Sequence, residues 1–265
     1  MVLWKKNSHG RIDSILDNGI FSIDISSRAV ANALAASYKR VRPFPHAVIK
    51  NIFEPEFLAK IASDENKFND FDGEKDFFGA QKKRFCSSPQ RLPSIVFELI
   101  SACHSKVFIE FLENLTGEQQ LHCDKNLMGG GIHSIPRHEE LGMYRRLNLL
   151  VFLNAKWPAD WGGDLELWTS DMSAVECKVA PKLNTSVVLT TDEDSYHGHP
   201  NPLTSPVGVS RNSIALYYYS PVKPSTGFSE SRSTAYKERY TGELGSGSLG
   251  QRISAKLKTI FSKRA

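Results

Sequence analysis

The sequence predicts a mainly β protein with N-terminal helices, and three observations predict it. Apolar residues recur at helical spacing as far as Gly117, and short β-rich runs take over after it. Glycine, proline and asparagine separate those runs at turn spacing. The sequence contains no phosphate loop and no internal repeat. Several short strands joined by tight turns fit a sandwich or a closed barrel rather than a doubly wound sheet.

The helical part comes first. Val30, Leu34 and Tyr38 recur at i+4 spacing in an alanine-rich stretch, predicting a helix over 26–41. Residues 43–53 (PFPHAVIKNIF) read as a short strand entry punctuated by proline. Glu54-Pro55 then opens a helix carrying Phe57, Leu58 and Ile61. The polar stretch 64–88 reads as loop. Val96, Leu99, Ile100, Val107, Phe108, Phe111 and Leu112 form the apolar stripe of one or two helices over 94–116, closed by Gly117.

Four strands are predicted beyond Gly117: 147–154 (LNLLVFLN), 163–168 (GDLELW), 184–191 (NTSVVLTT) and 212–220 (NSIALYYYS). The first is apolar on both faces, as expected of a strand covered on both sides. Gly129-Gly130-Gly131 permits a bulge or a close backbone approach but lacks phosphate-loop spacing. Trp157, Trp161, Trp168 and Tyr217-Tyr218-Tyr219 read as core and rim aromatics rather than a binding surface.

The 265 residues suffice for one large or two small domains, and 40% hydrophobic with 23% charged content is that of a globular chain. No apolar run approaches membrane-span length. The opening MVLWKKNSHGR has charge but no apolar run behind it, so no secretory signal is expected. Cys86, Cys103, Cys123 and Cys177 lie far apart without a CxxC pair, which fits a reducing, cytoplasmic setting rather than zinc or disulfides. Of the net charge of +4, residues 251–265 carry five basic groups and no acid, leaving a nearly neutral body. That excludes nucleic-acid binding by charge. The basic, amphipathic tail follows a GSGS linker and reads as a terminal helix, with an anionic surface or a partner as the alternative.

Three features can carry chemistry. His197, in YHGHP (196–200), stands where a strand gives way to a loop, a position suited to a metal ligand or simply to solvation. Arg211 enters an apolar strand and needs an anion, either a protein carboxylate or that of a ligand. His122 and Asp124 form an HxD tripeptide whose two side chains share one strand face.

The text from 145 to 220 resembles the prolyl-4-hydroxylase-like branch of the 2-oxoglutarate and Fe(II)-dependent oxygenases. The matching segments are RRLNLLVFLN (145–154), W-x3-WGGDLELW (157–168), 178–203 and GVSRNSIALYYYS (208–220). The flanks of that block, from 43–51 through 111–117 and MGGGIH (128–133), look like the family too, so the likeness spans roughly 40–235. It implies a double-stranded β-helix, a jelly roll, with supporting helices packed on it. The implied division is a mostly helical support over 1–117, an oxygenase core over 118–222 and a C-terminal extension over 223–265. It further implies Fe(II), 2-oxoglutarate as co-substrate and ascorbate as reductant. His197 matches the family's distal iron histidine, and Arg211, fourteen residues later, matches the co-substrate arginine. His199 matches a recurring position that is not a ligand.

One departure stands out. The family's HxDFN segment, which carries two of the three iron ligands, is missing between Arg137 and His138. His122 with Asp124, or His133 or His138 with Glu139 or Glu140, are the candidate replacements. Two function classes are therefore expected: a hydroxylase acting on a prolyl or other protein side chain or on a small molecule, and a catalytically inactive jelly-roll binding or scaffold protein. Neither the substrate nor the oligomeric state is legible.

Overall fold

The computed structural model describes residues 19–63, 71–77, 80–86, 88–124, 127 and 143–223, all within one unit, Met1–Ser233. The GGG run, the segment with His133, His138, Glu139 and Glu140, and the basic tail lie outside the described residues.

Four helices come mostly from the first half. They are α1 (Arg28–Tyr38), α2 (Pro55–Ser63), α3 (Ser94–Cys103) and α4 (Lys106–Thr116). The predicted 94–116 stripe thus divides in two at His104-Ser105. The Ser105 side chain caps α4 by accepting from Phe108 N at 3.3 Å, and Gly117 ends it in the left-handed region with φ 77°.

The strands are β1 (His46–Lys50), β2 (Gly73–Phe77), β3 (Ala80–Phe85), β4 (His122–Cys123), β5 (Tyr144–Phe152), β6 (Leu165–Trp168), β7 (Val175–Val179), β8 (Thr185–Thr190), β9 (His197–Gly198) and β10 (Ser213–Ser220). They make an antiparallel five-stranded sheet in the order β1-β8-β5-β10-β4 and a three-stranded sheet, β7-β6-β9. The expected loop over 64–88 is corrected: β2 and β3 form a separate antiparallel hairpin within it. Their lysine- and acid-rich text, GEKDF and AQKKRF, hides the pairing because it lacks β-branched residues.

The five-stranded sheet is covered on both faces, as the two-sided apolar character of 147–154 predicts. On one face Leu147, Leu149 and Val151 join α1–α4 in the larger core, with Phe108, Phe111 and Leu112 essentially buried. Two polar ties fix that packing: Tyr38 Oη lies 3.0 Å from Thr190 Oγ1, and the Tyr218 hydroxyl donates to Cys103 O at 2.9 Å. On the other face Phe152, Val187 and Leu189 meet Leu165, Leu167 and Val179 of the three-stranded sheet, with Phe44. Two facing antiparallel sheets with helices on the outer side are the expected jelly-roll arrangement, and among the described residues no pairing closes them into a barrel. The first 117 residues also supply β1, so the helical region contributes an edge strand to the main sheet.

Candidate functional site

Strand alternation selects which residues face the space between the two sheets. On β5, Leu150 and Phe152 turn towards the smaller core while Leu149 and Val151 turn towards the helices. Asn148 therefore faces the smaller sheet. Register places it opposite Tyr217 on β10 and Leu189 on β8, and Leu189 opposite His46 on β1. His46, Leu189, Asn148 and Tyr217 thus form one cross-strand row on the inner face. Asn148 is 2% exposed, and its Oδ1 has no hydrogen-bond partner among the described residues. A buried amide oxygen without a partner is costly, unless something outside the protein completes it.

Arg211 precedes β10. Its Nε donates to Gly163 O at 2.6 Å, and its guanidinium carbon lies 4.9 Å from the centroid of the Phe152 ring. The two alternatives of the sequence reading, a protein carboxylate or a ligand carboxylate, divide clearly. No carboxylate among the described residues forms an ion pair with Arg211. Burial pushes the guanidinium down to about 10, with the more distant Asp164 charge opposing. The Nη atoms remain available to an anion. Gly163 makes this seat possible: its φ is +74°, and a Cβ there would meet Leu203 Cδ2 at 2.6 Å and Arg211 Cδ at 3.0 Å. Trp157 holds the preceding residue, donating its indole N–H to Gly162 O at 2.8 Å.

His197 begins β9, opposite Leu167 of β6. Its Nδ1 lies 2.7 Å from Ser195 O, which fixes the proton on Nδ1 and leaves the Nε2 lone pair free. The surrounding protein desolvates the ring and holds it below the ordinary histidine value; the Ser195 carbonyl opposes this, and the Arg145 charge adds to it. The residue itself is open to solvent. His46 has the same arrangement, with Nδ1 2.8 Å from Phe44 O, and burial lowers it as well. The Phe44 ring lies against both imidazoles, at 6.1 Å from His46 and 6.4 Å from His197.

Arg145 is a further inner-face residue that the sequence reading did not single out. Alternation from Leu147 would send it to the helix side, but the register slips between Tyr218 and Tyr219 and pairs Arg145 with Tyr219. The side chain then lies over the Tyr217 ring, 4.4 Å from its centroid. Arg146, skipped by the register, instead makes a two-pronged pair with Glu118 at 2.7 Å per contact. His122 sits elsewhere, lining an open hollow with His104, Lys106, Glu110 and Glu113 of the helical side. His122, Asp124 and His197 do not come together as a metal group.

Residues 110–219 match the family model described as the 2OG-Fe(II) oxygenase superfamily. This stretch of the chain is similar to that superfamily. No curated protein matches the chain. Among solved structures it is similar to a prolyl 4-hydroxylase from Phytophthora capsici, with 16% identity over 81% of this chain and 67% of that one, at TM-score 0.40. It is also similar to a Pseudomonas putida prolyl-4-hydroxylase, with 12% identity over 73% and 97% of the two chains, at TM-score 0.43. A viral collagen prolyl hydroxylase from Paramecium Bursaria Chlorella virus-1 is 12% identical over 66% and 89%, at TM-score 0.37.

The superfamily's name implies iron, which needs several ligands presented together. Among the described residues no three His, Cys, Asp or Glu side chains are grouped to hold a metal ion. His197 offers one nitrogen and His46 another, without a carboxylate to complete them. The described residues alone therefore do not fit an iron centre.

Proposed function

We propose that the chain is a 2-oxoglutarate- and Fe(II)-dependent dioxygenase of the prolyl-4-hydroxylase-like branch. Its overall reaction takes 2-oxoglutarate, O2 and a substrate C–H to succinate, CO2 and the hydroxylated substrate, one oxygen atom entering each organic product, with ascorbate as the reductant that keeps the iron in its Fe(II) state. The substrate is a prolyl or other protein side chain, or a small molecule, in a cytoplasmic setting. The observation that carries this reading, beside the family match, is Arg211. It is a desolvated guanidinium without a carboxylate partner among the described residues, held at the start of β10 by the Gly163 carbonyl. In this reading the Arg211 fork receives the distal carboxylate of the co-substrate, and the free Nε2 of His197 faces the reacting end.

The test is succinate formation from 2-oxoglutarate with added Fe(II) and ascorbate, with and without candidate peptides. Turnover above the no-enzyme rate that is lost in His197→Ala supports the reading. No succinate under any condition contradicts it.

A second reading, an inactive jelly-roll binding or scaffold protein, is favoured by the lack of a metal group among the described residues. Anaerobic titration with Mn(II) separates the two. Stoichiometric binding sinks the scaffold reading, whereas no binding at millimolar Mn(II) sinks the dioxygenase.

A further inference from the structure

The central strand β5 stops at Phe152, and the chain beyond it carries a buried polar side chain, Asn154, only 6% exposed. Its amide reaches the residue that follows Arg211. The Oδ1 accepts from Asn212 N at 2.7 Å, while the Nδ2 donates to Asn212 O at 3.1 Å and to Pro181 O at 2.6 Å. Carbonyl oxygens only accept, so these partners fix which amide atom points where. The main chain completes the junction: Leu153 N donates to Asn212 O at 3.1 Å, and Leu183 N to Asn154 O at 2.9 Å. The β5–β10 ladder ends at the pair Phe152 and Ser213, and the Asn154 side chain stands in for a further rung.

Arg211 is therefore mounted at two points from two different sheets. Asn154, at the end of β5, holds the main chain one peptide away, about 3.8 Å between Cα atoms. Gly163 O, in the turn before β6, holds the side chain through Nε at 2.6 Å. An arginine stem carries much rotamer freedom, and a fork aimed before the ligand arrives loses less of it on binding. Releasing the main-chain mount leaves Nε alone to aim the fork.

We infer that Asn154 is a positioning residue for Arg211. By taking both the N–H and the C=O of Asn212, it presets the guanidinium for a ligand carboxylate. The inference rests on the reading of Arg211 given above. In this role Asn154 acts only through the arginine, so its effect on binding vanishes when the arginine is gone.

The experiment is a double-mutant cycle, read by isothermal titration of 2-oxoglutarate into the full chain in Mn(II) buffer. Its four members are the wild type, Asn154→Ala, Arg211→Gln and the double variant. Asn154→Ala weakens binding about tenfold, and Asn154→Gln, with the same amide on a longer stem, about threefold. In the Arg211→Gln background Asn154→Ala changes affinity by less than about twofold, because no fork is left to aim. An asparagine with a merely structural role gives the same loss in both backgrounds. Circular dichroism checks folding, and Asn154→Gln takes the place of Asn154→Ala in the cycle should the alanine variant not fold. An affinity within about twofold of the wild type, or equal losses in the two backgrounds, overturns the inference. Either result leaves the proposed function standing where Arg211→Gln still weakens binding. A wild type that does not bind, or an Arg211→Gln variant that binds as the wild type does, overturns the reading of Arg211 and this inference with it.

Discussion

The Nε–H of Arg211 donates to the carbonyl oxygen of Gly163 at 2.6 Å, tying the start of β10 to the turn that precedes β6. One bond therefore joins the two sheets and fixes the direction of the guanidinium. The glycine matters twice: its left-handed φ admits no other residue cheaply, and its bare Cα lets the arginine stem pass.

Gly163→Ala strains this turn and displaces Arg211. Stability falls by about 1–3 kcal/mol, the usual cost of such a backbone conformation in a residue with a Cβ. Affinity for 2-oxoglutarate falls with it. Chemical denaturation and titration on the same preparation check both losses; retention of full affinity would show that the arginine does not depend on this seat.

Asn148→Leu separates stability from binding. The change removes a buried amide oxygen that lacks a partner, so the melting temperature of the empty protein holds or rises. Binding of 2-oxoglutarate weakens, because the ligand loses a neighbouring amide. A melting temperature several degrees lower would mean that the amide is satisfied within the protein.

Arg146 and Glu118 fasten β5 to the segment following α4, with side chains 12% and 18% exposed. Glu118→Gln leaves a largely enclosed guanidinium half-satisfied and costs about 2–3 kcal/mol by urea denaturation. A cost within error of zero would place this pair with exposed surface bridges, which contribute little.

Burial holds His46 below the ordinary histidine value of about 6.5, so the folded chain binds fewer protons than the unfolded one between that lowered value and about 6.5. Stability is therefore complete above about pH 6.5 and is lost as pH falls through that window. His197 is lowered for the same first reason and adds to the same slope. Melting temperatures from pH 7.5 to 5 should fall on the acid side, and His46→Gln should flatten part of the fall. A flat wild-type profile would contradict this account.

Much of the frame was legible because it is local. The i+4 apolar stripes mark the helices, while the two-faced text of 147–154 and the β-forming residues of 212–220 mark strands β5 and β10. The hairpin at Gly73–Phe77 and Ala80–Phe85 was not legible, since its composition is that of a polar loop. The two-residue strand at His197–Gly198 is too short for any periodicity. For the candidate site, residue type and resemblance singled out Arg211 and His197. Asn148, His46 and Arg145 were missed because long-range register places them together: His46 opposite Leu189, Leu189 opposite Asn148, Asn148 opposite Tyr217. The one available signal was a polar residue within an apolar strand, and the Arg145-Arg146 doublet gave no hint that a register slip turns its members to opposite faces.

The central claim is that Arg211 anchors a 2-oxoglutarate site. Titration of 2-oxoglutarate into the wild type and Arg211→Ala, in buffer containing Mn(II), tests it most directly. The account predicts saturable one-to-one binding to the wild type and a loss of about 2–4 kcal/mol, thirtyfold or more, in the variant. Equal binding by the two proteins, or none by the wild type, would contradict it.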